Sequence, residues 1–292
     1  MIEGSVVAIV TPFKNGEVDE DALCGLIEFH IDNGTQGILP CGTTGESPTL
    51  SHTEHERVIE LTVQTVNKRI PVIAGTGSNS TVEAISLTKF AEEVGADAAL
   101  VVVPYYNKPT QEGLYLHFKM IAFNTTLPIF IYNIPGRSGV NMTPETIARL
   151  ANDCQNIAGI KEATGSVQQA TKILALTGMD FILLSGEDAL NYPLLTVGGK
   201  GFISVTANVA PKEVAALYNT FKSGDFNGAR EIHYRLHSLN ESMFLETNPI
   251  PVKAALSMMG KISEDLRLPL CAMKSENTKR LKKTLQSYGL IN

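Results

Sequence analysis

Short runs of β-branched and aliphatic residues alternate along the chain with stretches in which apolar positions recur every three to four residues. The apolar runs fall at 6–10, 37–40, 71–74, 98–103, 128–132, 157–161, 181–184 and 202–205. Helical periodicity covers 20–32, 53–67, 81–94, 112–124, 144–151, 167–176, 192–197 and 212–222. A period near 3.6 marks a one-faced helix, and a short run without strict alternation marks a strand covered on both faces. Local punctuation agrees with these boundaries. Ser51 stands three residues before Glu54, the spacing of a capping box, and Thr143 precedes Pro144 at a first helical turn. Gly95, Gly178 and Gly224 sit where helices must stop.

Strands that alternate with helices predict parallel pairing, because each crossover helix returns the chain in the same direction. Eight such units predict an α/β fold, a (β/α)8 TIM barrel with a C-terminal helical extension. A doubly wound open sheet is the alternative. However, Gly75-Thr76-Gly77 continues as Ser78-Asn79-Ser80, so the third glycine of a dinucleotide-binding loop is missing. Strand signal ceases near Gly224, and 227–245, 251–258 and 277–287 read as helices. The barrel is therefore assigned to 1–224 and a set of helices packed on it to 225–292, a tail too short for a comfortable core of its own.

Composition narrows the partners. Of 292 residues 43% are apolar and only 18% charged, against about 25% charged in an average soluble protein. A net charge of −6 argues against a nucleic-acid or anionic-membrane partner, since phosphate binding needs clustered Lys and Arg. The one basic cluster, Lys279, Arg280, Lys282 and Lys283, flanks Leu281 and Leu285 and reads as the solvated face of a helix. No apolar run approaches the roughly 18 residues of a membrane span. Met1-Ile2-Glu3-Gly4-Ser5 lacks the basic flank and long apolar stretch of a secretory leader, so a cytoplasmic location is expected. Cys24, Cys41, Cys154 and Cys271 are scattered and never form C-x-x-C, which favours reduced thiols over disulfides or a thiolate zinc site. His52/His55 and His233/His237 have helical spacing, but neither pair carries the glutamate of H-E-x-x-H, and solvated or capping roles are expected.

A parallel barrel carries its chemistry at the C-terminal ends of its strands. Lys161 closes the sixth run, and period-two alternation puts it on the face of Ile157 and Gly159. A lysine facing a barrel interior has its pKa lowered by desolvation, and the neutral amine is the form that attacks a ketone or aldehyde. The competing reading is a strand-end lysine that snorkels to solvent or pairs with Glu162. Tyr132, on the neighbouring predicted strand, is placed to relay protons or to serve as a rim aromatic. Thr43 and Thr44, between Gly42 and Gly45, offer hydroxyls and N–H groups suited to a carboxylate. Arg137, in a Pro- and Gly-bounded loop, suits a second carboxylate.

Residues 41–46 (Cys-Gly-Thr-Thr-Gly-Glu), 132–137 (Tyr-Asn-Ile-Pro-Gly-Arg) and 159–163 (Gly-Ile-Lys-Glu-Ala) closely resemble the signatures of a known family. It is the pyruvate-dependent class I aldolase family, which includes N-acetylneuraminate lyase and the 4-hydroxy-tetrahydrodipicolinate synthases. The resemblance extends over essentially the whole chain. Arg137 points to the synthase branch, because the lyases usually lack arginine there. Ser138 stands where the synthases often carry threonine. The resemblance implies that Lys161 condenses with pyruvate as a Schiff base and that Tyr132 is the central proton shuttle. It implies that Thr43 and Tyr106 complete the relay, with Tyr106 reaching a neighbouring subunit's site. Thr43 and Thr44 would bind the pyruvate carboxylate, Arg137 the carboxylate of L-aspartate 4-semialdehyde, and Gly186 and Ile203 would line the pocket near the lysine.

The same resemblance implies a lyase of lysine and diaminopimelate biosynthesis with no organic cofactor and no catalytic metal, built as a homotetramer of two tight dimers. Ser47, His52, His55, Asn79, Glu83 and Tyr105 match the positions of a feedback L-lysine site in regulated synthases, although Pro48 departs from that pattern. Two other readings stand beside it. One is an aldolase of the same family acting on N-acetylneuraminate or another 2-oxo acid, from which Arg137 separates the synthase. The other is a non-catalytic barrel that binds an oxo acid, since architecture alone does not confer activity.

Overall fold

The protein is described by a computed structural model over residues 2–292; Met1, the first residue of the N-terminal segment on which the expected cytoplasmic location rests, lies outside the described residues. The strands are β1 (Gly4–Ala8), β2 (Phe13–Lys14), β3 (Glu17–Val18), β4 (Gly37–Leu39), β5 (Ile73–Gly75), β6 (Ala98–Val102), β7 (Ile129–Asn133), β8 (Ile157–Glu162), β9 (Ile182–Ser185) and β10 (Gly201–Ser204). The helices are α1 (Glu20–Asp32), α2 (His52–Val66), α3 (Thr81–Glu93), α4 (Gln111–Ala122), α5 (Pro135–Ser138), α6 (Pro144–Asp153), α7 (Val167–Thr177), α8 (Asn191–Thr196), α9 (Pro211–Lys222), α10 (Phe226–Ser242), α11 (Ile250–Met258) and α12 (Ser275–Ser287). Eight strands form one sheet in the order β4-β1-β10-β9-β8-β7-β6-β5. From β5 to β10 each strand's neighbour in the sheet is the next along the chain, with β4 and β5 left as the two edges, a sequential order that fits a (β/α)8 barrel and lacks the reversal of a doubly wound fold.

The helix signals read from sequence correspond to real caps. Ser51 and Glu54 form the reciprocal box, Ser51 N donating to Glu54 Oε2 at 2.8 Å and Glu54 N to Ser51 Oγ at 3.3 Å. Thr143 Oγ1 accepts from Thr146 N ahead of Pro144. Gly95, Gly178 and Gly224 all have positive φ, the left-handed stop that a side chain would strain. Unread from sequence is the β2–β3 hairpin, in which Phe13 faces Val18 across a turn with Asn15 at φ 55 and Gly16 at φ 85. Asn-Gly is the strongest short hairpin signal, and two residues per strand are too few to show alternation.

Two compact units can be distinguished. In the unit spanning Pro71–Ile203, β5 to β10 carry Ala74, Ala99, Phe130, Ile131, Ile160, Leu183 and Phe202, none more than 0% exposed. A side chain at Gly159 would collide with Ile182 O and stand 2.7 Å from Phe130 Cε1, so only glycine lets these strands pack. Between β7 and β8 the register shifts: Ile129 faces Ile157 but Phe130 faces Gly159. Strict alternation therefore joins Lys161 to Gly159 and stops there, because the extra residue, Ala158, puts Ile157 out of phase.

In the unit spanning Gly4–Ile70 and Ser204–Asn292, β1 and β4 pair in parallel with Val6 opposite Gly37 and Ala8 opposite Leu39. Helix α10 packs on α9 and α12, and α11 packs on α12. Their shared core includes Leu236, Leu239, Leu256, Leu281 and Leu285, all nearly or fully buried. Lys279, Arg280, Lys282 and Lys283 lie on the exposed face of α12. All four cysteines are free thiols. Among the described residues no helix is long and apolar enough to cross a membrane.

Candidate active site

Lys161 sits near the C-terminal end of β8, opposite Tyr132 on β7 and Leu184 on β9. Its side chain is 6% exposed, and its Nζ lies 4.3 Å from the centroid of the Tyr132 ring. Burial pulls the Lys161 ammonium down to about 8, with the Asp188 carboxylate opposing the fall and the Arg137 guanidinium adding to it. At that value about one amine in ten is neutral at pH 7, against fewer than roughly one in a thousand for an ordinary lysine. The competing pairing with Glu162 is resolved by alternation. Glu162 points to the other face, where its carboxylate accepts from Thr164 N at 3.0 Å and from Asn133 Nδ2 at 3.4 Å. Burial there raises the Glu162 pKa.

Gly186 follows β9 and donates its N–H to Glu162 O at 2.8 Å. A methyl group there would lie 3.0 Å from both Cγ and Cε of Lys161, so the glycine leaves room for the lysine stem. Ile203, on β10, is 2% exposed. Arg137 occupies α5, a single turn that opens on Pro135 and closes on Gly139 at φ 73. Ser138 ties this turn, its hydroxyl bonding Ile134 O at 3.0 Å and Val140 O at 2.9 Å. The single hydroxyl proton donates to one or the other of these carbonyls, and threonine carries the same hydroxyl.

Tyr106 follows β6 at φ 70 and is 90% exposed, an aromatic ring thrust into solvent from a strained backbone. Around it the predicted lysine-site residues Asn79, Glu83 and Tyr105 come together. Asn79 Nδ2 donates to Tyr105 O at 3.2 Å, and Ser78 Oγ bonds Glu83 Oε2. Burial, with the Glu83 carboxylate, raises the Tyr105 pKa.

The other predicted residues belong to the second unit. Thr43 and Thr44 lie in a tight loop closed by Gly45 N to Gly42 O at 3.1 Å and Glu46 N to Thr43 O at 3.2 Å. Thr44 is buried, and its Oγ1 accepts from Asn248 Nδ2 at 3.0 Å. Glu46 forms a fully buried ion pair with Lys253 at 2.6 Å. Ser47 Oγ and His55 Nδ1 are 3.5 Å apart at the start of α2, and His52 is exposed beside them. His237 Nε2 meets Glu241 at 3.5 Å on an exposed helix face. Among the described residues no three His, Cys, Asp or Glu side chains are grouped to hold a metal ion.

Sequence reasoning missed four participants. Asp188 stands two residues past Gly186 at the end of β9, a position that strand-end logic would have offered. Asn248, Lys253 and Arg267 lie more than 200 residues from the loop that they touch, and no periodicity links positions so far apart.

The family model described as the dihydrodipicolinate synthetase family matches residues 1–288. The 4-hydroxy-tetrahydrodipicolinate synthase of Syntrophobacter fumaroxidans is 61% identical over 292 residues, 100% of each chain. The crystal structure of dihydrodipicolinate synthase from Aquifex aeolicus matches at a TM-score of 0.98 and 54% identity, covering 99% of each chain. The structure of DHDPS from Cyanidioschyzon merolae with lysine bound matches at 0.95 and 42%, also over 99% of each. With the buried strand-end lysine in place and these likenesses running end to end, the chain belongs to the dihydrodipicolinate synthetase family.

Proposed function

We propose that this protein condenses pyruvate with L-aspartate 4-semialdehyde to give 4-hydroxy-tetrahydrodipicolinate, a step of lysine and diaminopimelate biosynthesis. The observation that carries the reading is a lysine buried at a barrel strand end, its pKa lowered to about 8, with a tyrosine ring 4.3 Å away. Neutral Lys161 Nζ attacks C2 of pyruvate, water leaves and an imine forms. Loss of a C3 proton gives the enamine, whose C3 attacks the aldehyde carbon of the second substrate and leaves a hydroxyl. The amine of that substrate then attacks the imine carbon and displaces Lys161 as the ring closes. Tyr132, with Thr43 and Tyr106, relays the protons. Thr43 and Thr44 bind the pyruvate carboxylate, Arg137 binds that of the semialdehyde, and Gly186 and Ile203 line the pocket. Every step is carried by these side chains and the covalent imine, with no organic cofactor or metal ion in the scheme.

The exposure of Tyr106 supports a homotetramer of tight dimers in which this ring enters a partner's site. The pairing of Asn79, Glu83 and Tyr105, and separately of Ser47 and His55, supports inhibition by L-lysine, with Glu83 as the carboxylate for an incoming ammonium. The relative from Cyanidioschyzon merolae carries bound lysine. A cytoplasmic enzyme with small-molecule substrates, no nucleic-acid or membrane partner, and a barrel at 1–224 with an extension at 225–292 completes the reading.

The deciding experiment is turnover of aspartate semialdehyde with and without pyruvate. Strict pyruvate dependence, its loss in Lys161→Ala, and borohydride trapping of pyruvate on Lys161 are expected. Pyruvate-independent loss of the semialdehyde, or substantial turnover by Lys161→Ala, would overturn the assignment. Equal activity with and without millimolar-scale lysine would remove the inhibitor site.

A further inference from the structure

The loop at residues 41–46 begins and ends on a residue other than glycine in the left-handed region, Cys41 at φ 55 and Glu46 at φ 53. L side chains avoid that region, so such a backbone persists only where its surroundings fix it. Glu46 is 2% exposed. Its Oε1 accepts from Lys253 Nζ at 2.6 Å and its Oε2 from Arg267 N at 3.2 Å. Lys253, itself fully buried, also donates to Thr11 O at 3.0 Å and lies 4.3 Å from the Phe13 ring centroid. Thr11 Oγ1 in turn donates to Gly45 O at 2.7 Å. Asn248 Nδ2 reaches Thr44 Oγ1 directly at 3.0 Å. The segment 248–267 therefore touches the loop at its middle and at its end.

Folding alone gives no reason for charges here. A buried ion pair recovers in attraction about what it loses in desolvation, and a well-packed apolar pair of the same volume often does as well. What the pair supplies is direction: a carboxylate with both oxygens engaged fixes the side chain, and through it the left-handed backbone that orients Thr43 and Thr44.

We propose that Glu46 and Lys253, together with Asn248, are positioning residues that aim the Thr43 and Thr44 hydroxyls, so that the C-terminal extension sets the affinity for the carboxylate of a 2-oxo acid. The proposal rests on the assignment of those two threonines to the pyruvate carboxylate. The extension is then part of the binding apparatus. A misdirected threonine weakens pyruvate capture, whereas the chemistry at Lys161 proceeds once pyruvate is bound, so the effect falls on KM more than on kcat.

The test compares Glu46→Gln, Lys253→Met, their double variant and Asn248→Ser in the full chain. The double variant leaves neither charge buried alone and is expected to fold, as read by circular dichroism and a cooperative melt. Its KM for pyruvate is expected to rise about tenfold or more, with kcat at saturating pyruvate within roughly threefold and borohydride trapping on Lys161 retained. Each single variant breaks the same pair and is expected to raise the pyruvate KM as far as the double does. A folded double variant with unchanged pyruvate KM overturns the proposal, as does a fall in kcat alone. If the double variant does not fold, Asn248→Ser decides: a raised pyruvate KM supports the proposal and an unchanged one overturns it. Thr44→Val tests the underlying assignment separately, because an unchanged pyruvate KM there removes the threonines from the carboxylate whatever the pair variants do.

Discussion

Lys161 Nζ lies 4.3 Å from the centre of the Tyr132 ring, and the two residues face each other across paired strands. A ring at that distance attracts the ammonium, and the same wall excludes the water that would solvate it. Burial dominates, since the pKa of Lys161 is lowered to about 8 and not raised. The relationship therefore keeps the amine close to its switching point near neutral pH, where it must be neutral to attack and protonated species must be handled nearby.

The rate of imine formation with saturating pyruvate is expected to rise with pH and level off above about 8, because only the neutral amine reacts. Asp188 holds the value up, so Asp188→Asn shifts this limb to lower pH. Arg137 holds it down, so Arg137→Ala shifts it to higher pH. Borohydride trapping rates across pH 6 to about 10 measure all three. A limb centred near the ordinary lysine value in the parent chain would show that burial does not control the amine.

Tyr132→Phe keeps the ring against Lys161 and removes only the hydroxyl. Overall turnover is expected to fall by roughly 10²–10⁴, the usual worth of a general acid–base group. The midpoint of the Lys161 limb is expected to stay in place, because its causes are burial, Asp188 and Arg137. A turnover within about threefold of the parent chain would leave the tyrosine as a packing residue.

The contrast between Lys161 and Glu46 explains what the sequence made legible. The strand-helix alternation and the caps at Ser51, Thr143 and Gly178 are local signals, written within a few residues of where they act. Lys161 was legible for the same reason: strand ends are identifiable, and barrels place chemistry there. Its face was traceable from Gly159 but not from Ile157, since a bulge at Ala158 leaves no mark on composition. Glu46 was visible only as the last letter of a motif, and its partner Lys253 lies 207 residues on in a helix whose periodicity reports packing. The β2–β3 hairpin shows another limit, because Asn15-Gly16 announced a turn while the strands were too short to announce themselves.

Gly186→Ala places a methyl 3.0 Å from Lys161 Cε and Cγ and 2.8 Å from Ala163 Cβ, so the lysine stem must shift. Misplacing a reacting group by even a fraction of its reach is costly, and imine formation is expected to slow by roughly 10–100-fold with the fold retained. Gly25→Ala is the control, since nothing lies within 4 Å of that added carbon in the middle of α1. It is expected to raise stability by up to about 1 kcal/mol and leave the rate alone. Equal imine rates in the two variants would mean that the space at Gly186 is not needed by Lys161.

Acid should destabilise the protein through its buried imidazoles before most carboxylates titrate. His30 is fully buried and its pKa is lowered from 6.5 to about 3, chiefly by burial with help from the Lys261 charge. Burial also lowers His117 to about 4. The unfolded chain takes up these protons below pH 6.5 while the native chain refuses them until near pH 3 or 4. Stability is therefore fully present above pH 6.5 and is lost as pH falls through that window. At pH 5 each imidazole is expected to cost about 2 kcal/mol, from 1.5 units at 1.36 kcal/mol per unit. His30→Leu removes one of the two groups, so its loss of stability between pH 7 and pH 5 should be smaller than that of the parent chain by about 2 kcal/mol. Denaturant titrations of both proteins at the two pH values supply the comparison, and equal losses would mean that His30 does not resist protonation in the native state.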